Sequence, residues 1–305
     1  MGVFLVWYSI GRISPEEREK LLQTIVKAKP IWVAISILLG ILSHMSRAYR
    51  WSFLLEPLGY KTSYLNRFMS LMAGYLANVV IIRSGELLRG ATLANYEDAP
   101  TDKIFGTIVA ERIVDLFMLL MVVSVALFLQ SELFLEYLKE NKINPLWTLG
   151  GVVAVIGGGI LFLRLIANAT HPVLIRIRNF GTGLLEGAKS ILYIDKKVAY
   201  LAHTLFIWFS YILMFYVIKF ALPGTEDLSF GAILVAFVAG SFAMTTTNGG
   251  IGLFPIAIGV VLSWYSIDQS YGEAYGWVIW TCQTSLVLII GALSFIYLPI
   301  WNKEK

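Results

Sequence analysis

The chain has 305 residues, 57% of them hydrophobic and only 14% charged, with a formal net charge of +4. Long apolar runs separated by short islands of charge exclude a soluble domain and specify an all-α polytopic integral membrane protein. Runs such as Val122 to Leu129 lack the alternation of a membrane β-barrel, and the small cationic surplus, which lies mostly in loops, implies no nucleic acid.

At the N-terminus, the run Gly2 to Ile10 is too short to cross a bilayer and lacks the basic start and small-residue exit of a cleaved signal. It lies at the interface or, the preferred reading, closes a helix that begins upstream of Met1. Spanning helices are expected near Ile31 to Leu55, Ile104 to Gln130, Leu146 to Leu165, Val198 to Leu222 and Trp277 to Trp301. Two regions depart from this pattern. Phe68 to Ile82 is short, carries Asn78 and breaks into Arg83-Ser84-Gly85-Glu86; Leu228 to Ile267 is long but interrupted by Thr245 to Gly252 and then by Pro255. Backbone left unpaired in hydrocarbon costs several kcal/mol per group, so such breaks belong where protein or water shelters them. The expectation is about six to eight helices with two broken or re-entrant elements. One interruption in each half is the sequence sign of an inverted repeat around a midplane site. The whole chain, 1–305, reads as one transmembrane domain: a partial span and loop over 1–30, a core over 31–301, and a basic loop over 164–197.

Loop charges give an orientation. Arg164, Arg176, Arg178, Lys189, Lys196 and Lys197 face only Glu186 and Asp195 in the loop from 164 to 197, and the C-terminal tail adds Lys303 and Lys305. Both segments are expected in the cytoplasm, and the acidic loops Pro223 to Leu228 and Asp268 to Gly276 outside. The first quarter is undecided by this rule; placing Arg47 to Arg67 inside makes Phe68 to Glu86 a re-entrant hairpin. Between Pro172 and Lys197 a basic stretch reads as an ordinary cytoplasmic loop, or as a surface helix. His44, His171 and His203 are scattered and the lone Cys282 sits in an apolar segment, so neither a metal nor a cofactor is expected.

Four polar constellations interrupt the apolar sequence. In His44-Met45-Ser46-Arg47-Ala48-Tyr49-Arg50-Trp51 the two arginines share a helix face and can present two guanidinium forks to one phosphate; the bland alternative is a pair of snorkelling anchors. Arg83, Glu86 and Arg89 recur every third residue, so in a helix Glu86 lies between two arginines. In Glu111-Arg112-Ile113-Val114-Asp115 the carboxylates stack at i,i+4 and Arg112 reaches Asp115. Each charge of this kind costs roughly 2.5–3.5 kcal/mol at the bilayer centre, so these should face protein or water. The last two sets are candidates for one buried network, either purely structural or charge-setting, with Asn78 beside it. Arg47 and Arg50 then remain as cation in excess, for which a phospholipid phosphate is the natural counter-ion. Asn248, Gly249, Gly250 and Gly252 form the fourth element, where bare amides approach a head group or, equally, serve helix packing.

The motifs R-A-Y-R-W, G-E-L-L-R, V-A-E-R-I-V-D and N-G-G-I-G-L-F, in that order and at those intervals, resemble the membrane flippase region of the lysylphosphatidylglycerol synthases over roughly Ile31 to Trp301. By position Arg47, Arg50, Gly85, Glu86, Arg89, Glu111, Arg112, Asp115, Gly249, Gly250 and Gly252 match that pattern. Two departures stand out: Asn248 where the family commonly has proline, and Pro255 where a carboxylate usually follows the glycines, which argues against an aminoacylated, cationic cargo. The synthase domain of bifunctional members is not expected, since the chain stops at Lys305 after its last span.

The resemblance implies a lipid translocase of the bacterial cytoplasmic (inner) membrane with its C-terminus inside. Such a translocase would move a phospholipid or lipid-linked head group between leaflets and would need no catalytic residue. Arg47, Arg50, Arg83, Arg89, Asn248, Gly249, Gly250 and Gly252 would bind the head group, and Asn78, Glu86, Glu111, Arg112 and Asp115 would form the coupling network. A separate synthase and a second copy of the chain are the protein partners it admits. The rival readings are a membrane-embedded transferase using Glu111 or Asp115 as base on a lipid-linked sugar or amino acid, and a non-transporting assembly factor.

Overall fold

The computed structural model describes residues 15–81, 83–140 and 194–303, with a few positions between 150 and 164. Every regular element among them is helical: α1 (Pro15–Val26), α2 (Pro30–Leu55), α3 (Tyr64–Val80), α4 (Gly85–Tyr96), α5 (Thr101–Leu129), α6 (Ser131–Glu140), α7 (Lys197–Ile218), α8 (Phe230–Thr246), α9 (Leu253–Ser263) and α10 (Gln269–Asn302), with short 3-10 turns at Glu56–Leu58 and Asn248–Gly250. Four helices, α2 (with its 3-10 turn), α5, α7 and α10, are long and apolar enough to cross a membrane. The chain is an all-α polytopic membrane protein. Most of the expected span at Leu146 to Leu165, and all of Arg176, Arg178, Lys189, His171 and the run Gly2 to Ile10, lie outside the described residues.

The chain divides into two compact units, Met1–Ile108 with Ile194–Lys305, and Val109–Tyr193. In the first, α2 and α7 pack along each other, α10 packs on α1, α2, α3 and α9, and the short helices form two hairpins, α3 with α4 and α8 with α9. Hydrogen bonds fix which end of the bundle each hairpin uses. Ser63 N donates to Glu97 Oε1 at 2.8 Å, and the amides of Asn66 and Asn302 pair at 2.9 Å. Both ends of the first hairpin therefore lie with the C-termini of α2 and α10. The opposite end of the bundle is tied by Lys29 N to Ala221 O at 2.8 Å and Lys20 Nζ to Asp268 Oδ2 at 2.7 Å. The second hairpin enters there, where Ser229 Oγ accepts from Ala232 N at 3.1 Å to cap α8, and leaves there before Asp268 caps α10 by accepting from Ser270 N at 2.9 Å. The hairpins thus enter from opposite ends, and the Asn248–Gly250 turn of the second packs on α3 of the first.

Two expected boundaries change. The first hairpin is not Phe68 to Glu86: its first limb starts at Tyr64 and its return limb runs on to Tyr96, because Gly85 opens a helix where the polar run Arg83 to Glu86 suggested only an exit. Nor is Gln269 to Gly276 a loop. With Asp268 as its cap, that stretch forms the first two turns of α10, burying Gly272, Ala274, Tyr275 and Gly276.

Glycines set how closely these helices approach. A Cβ on Gly276 would stand 2.5 Å from Pro255 Cα, and one on Gly272 2.9 Å from Gly259 Cα, so α9 lies backbone to backbone on α10. In the second unit α5 buries a stripe of Glu111, Asp115, Met118, Val122 and Ala126 and leaves Leu116, Phe117, Leu120 and Phe128 exposed. The two carboxylates on this helix therefore avoid its exposed apolar face, as their cost in lipid requires.

Candidate functional site

A polar seam runs along the contact of α2 and α7 inside the first unit. Residues three or four apart on α2 face the partner helix. Ser36 Oγ donates to Met214 O at 3.3 Å, Arg47 Nη1 to Tyr211 OH at 3.0 Å and Arg50 Nη1 to Thr204 Oγ1 at 3.0 Å, while Ser46 Oγ and His203 Nδ1 share a hydrogen bond of 2.8 Å. Arg47 is 5% exposed and Arg50 fully buried, with the Arg50 guanidinium 5.5 Å from the Tyr200 ring centre. Side chains of this kind normally snorkel to water. Here both turn inward, each with a hydroxyl of α7 as a partner.

Arg89 is also buried, its guanidinium 3.9 Å over the Trp51 ring and 3.8 Å from Glu86 Oε2. Trp51 Nε1 in turn donates to Thr107 Oγ1 at 2.8 Å, and the indole sits among Leu55, Leu93, Ala94, Ala99, Ile104 and Ile108. Arg83 does not share this face. It precedes α4 with φ 61° and lies exposed at the turn, so the three-residue spacing that placed Glu86 between two arginines holds only for Arg89. Arg67 donates through Nε to Ala48 O at 3.0 Å and through Nη1 to Thr62 O and Oγ1, tying the base of the first hairpin to α2.

Asn78 sits at the tip of the first hairpin. Its Oδ1 accepts from Gly85 N at 2.7 Å, which satisfies an amide at the open start of α4, while Ser84 Oγ donates to Ala77 O at 3.0 Å in the last turn of α3. Gly74 and Gly85 touch so closely that a Cβ on either would meet the other's carbonyl oxygen. At the tip of the second hairpin Gly249, Gly250 and Gly252 have φ of 62°, 77° and 75°, a region open to glycine and strained for other residues. Trp280 Nε1 of α10 donates to Gly249 O at 2.7 Å, and the space beside Gly249 Cα is open. The Asn248 side chain lies outside the described residues.

In the second unit Glu111 is fully buried, Asp115 is buried, and Arg112 Nη1 stands 3.5 Å from Asp115 Oδ2 with its side chain 42% exposed. Among the described residues no cluster of His, Cys, Asp and Glu could hold a metal.

Several participants carry little sequence signal. Tyr211, Thr204 and Ser46 are ordinary residues of apolar helices, legible only through the polar positions 36, 43, 47 and 50 recurring on one face of α2. The His44 ring lies 5.1 Å from that of Tyr75, and Gln283 lies against Gly40. Cys282, half-buried, precedes Gln283. At the bundle end opposite the Asn66–Asn302 pair, the Asp268 carboxyl is held below its ordinary pKa, first by the hydrogen bond from Lys20.

Long apolar helices, buried guanidinium groups and two opposed hairpins define a polytopic membrane protein with an ordered polar interior. This chain belongs to the lysylphosphatidylglycerol synthase transmembrane-region family, whose profile matches residues 1–291. It is 27% identical over 126 residues to a UPF0104 membrane protein of Methanocaldococcus jannaschii, a match covering 39% of this chain and 38% of that protein's length. No solved structure matches.

Proposed function

We propose that this protein is a lipid translocase of the bacterial cytoplasmic membrane. It carries a phosphate-bearing head group past the α2–α7 seam while the acyl tails stay in lipid. Both hairpins are re-entrant elements in this reading, dipping from opposite faces. The bundle end that carries Lys196, Asn302 and the tail is cytoplasmic, as the basic loop before α7 supports. The observation that carries the proposal is the pair of buried arginines on a spanning helix. Arg47 and Arg50, aimed inward at Tyr211 and Thr204, keep a permanent charge and oriented donors where apolar side chains would cost less. A phosphate monoanion or diester is the complementary ligand. The glycine tip, whose backbone is unobstructed beside Gly249, is the element that approaches it.

The test is movement of a fluorescent phospholipid between leaflets of proteoliposomes. Arg47→Gln and Arg50→Gln should each slow transfer about tenfold or more, the loss expected when a charge-assisted hydrogen bond of about 1.5–3 kcal/mol is removed. Equal rates at equal amounts of folded protein would refute these roles, and a lipid of changed mass after incubation with aminoacyl or sugar donors would favour the transferase.

A further inference from the structure

Resting on that reading, we infer that His44 and Gln283 form a neutral hydrogen-bonding site for a hydroxyl of the head group, which makes the cargo a polyol- or sugar-bearing phospholipid. Gly40, His44 and Arg47 lie on one face of α2 at i, i+4 and i+7. The lack of a side chain at Gly40 is what admits Gln283 of α10: a Cβ there would stand 2.7 Å from Gln283 Oε1 and 3.3 Å from Nε2. Helical side chains lean back over the preceding turn, which carries the His44 ring toward the same place. His44 is 9% exposed, its ring flanked by Tyr75 of α3.

Two buried polar atoms on these side chains, His44 Nδ1 and Gln283 Nε2, have no hydrogen-bond partner among the described residues. Native interiors rarely leave such atoms unmade, and a ligand is one way the missing bonds can be supplied. Gln283 Nε2 can only donate. His44 Nδ1 donates or accepts according to its tautomer. A hydroxyl serves both: its oxygen accepts from the amide while its proton goes to the imidazole. An ammonium group has only donors and would leave Gln283 Nε2 unsatisfied, which disfavours ethanolamine. The position agrees with this chemistry. Arg47, three residues from His44, would hold the phosphate, and a hydroxyl one or two bonds further along the head group would fall on the next turn of α2. Trp280, three residues before Gln283, donates to Gly249 O, so the tip of the second hairpin borders the site.

The experiment compares phosphatidylinositol, phosphatidylethanolamine and phosphatidic acid, each measured for binding to the purified protein by native mass spectrometry and for transfer in proteoliposomes. The wild-type protein should bind phosphatidylinositol at least about tenfold more tightly than the other two, the discrimination a satisfied pair of buried hydrogen bonds gives. His44→Phe keeps the ring contact with Tyr75, Gln283→Leu keeps the volume, and Gly40→Ala displaces the amide while leaving both polar groups present. Each should abolish the preference, bringing phosphatidylinositol down to phosphatidic acid while phosphatidic acid itself is unchanged. Equal binding of all three lipids by the wild type, a preference for phosphatidylethanolamine, or variants that fold and retain the preference would overturn the inference. Selective binding with no transfer of any lipid would leave this site standing and defeat the translocase; unselective transfer would do the reverse.

Discussion

The two hairpins use the same outline and opposite means. The first is latched by side chains: Asn78 and Ser84 close its tip, and Glu97, Asn66 and Asn302 close its base. In the second, glycines do most of this work, through backbone contact of α9 with α10 and three left-handed residues at the tip, where Trp280 supplies a side-chain tie. A latch of side chains fixes one conformation, whereas a glycine tip admits several backbone states at small cost. In the proposed translocase, this difference would make the first hairpin scaffold and the second the moving element.

The contrast breaks most severely at the glycine contacts. Gly276→Leu forces a side chain onto the backbone at Pro255, with no flexible neighbour to yield, and should cost about 3 kcal/mol or more. Its expected outcome is a large fall in melting temperature in detergent, or loss of a monodisperse peak. Next comes the latch. Asn78→Ala removes the acceptor for Gly85 N and should cost about 1–2 kcal/mol, read as a lower melting temperature while lipid transfer per folded molecule is preserved. An Asn78→Ala protein that folds normally but no longer moves lipid would transfer the working role to the first hairpin. Gly249→Ala sharpens the comparison from the other side. Space around that Cα is open, so the cost is the left-handed backbone alone, about 1 kcal/mol. Transfer should slow more than stability falls, and equal losses would make the tip a structural turn.

The smallest effect lies beside the base of the second hairpin. The hydrogen bond from Lys20 depresses the Asp268 pKa in the folded protein, so the pair stabilises fully above the ordinary aspartate range and loses that contribution as pH falls toward the lowered folded value. The pair is exposed, so the effect is below about 1 kcal/mol. Comparing the melting temperatures of the wild type and Asp268→Asn from pH 7 down to pH 3 should show a small gap that closes at the acid end.

Much of this design was legible in the residues. Glycine and polar runs at 83–86 and 245–252 mark both turns because no continuous helix tolerates them in lipid, and the apolar lengths of α2, α5 and α7 follow from bilayer thickness. What stayed hidden has physical causes. The start of α10 reads as an acidic loop because Gln269 and Glu273 carry polarity on one face, and only Asp268 as a cap betrays the helix. The return limb α4 has a polar tip that hides its helical continuation. The arginines of α2 are visible, but their separate hydroxyl partners are not, since Tyr211 and Thr204 become special only when α7 lies against α2. His44 and Gln283 are 239 positions apart, and nothing local to either announces the other.

Cys282 is the chain's single sulfhydryl, and its neighbour in sequence is the amide that faces Gly40. A spin label or fluorophore attached there needs no engineered background and would sit one residue from the glutamine and two from the indole that ties down the glycine turn. Resonance or emission from that position can therefore follow the turn's excursions as lipid is added, in the unaltered polypeptide.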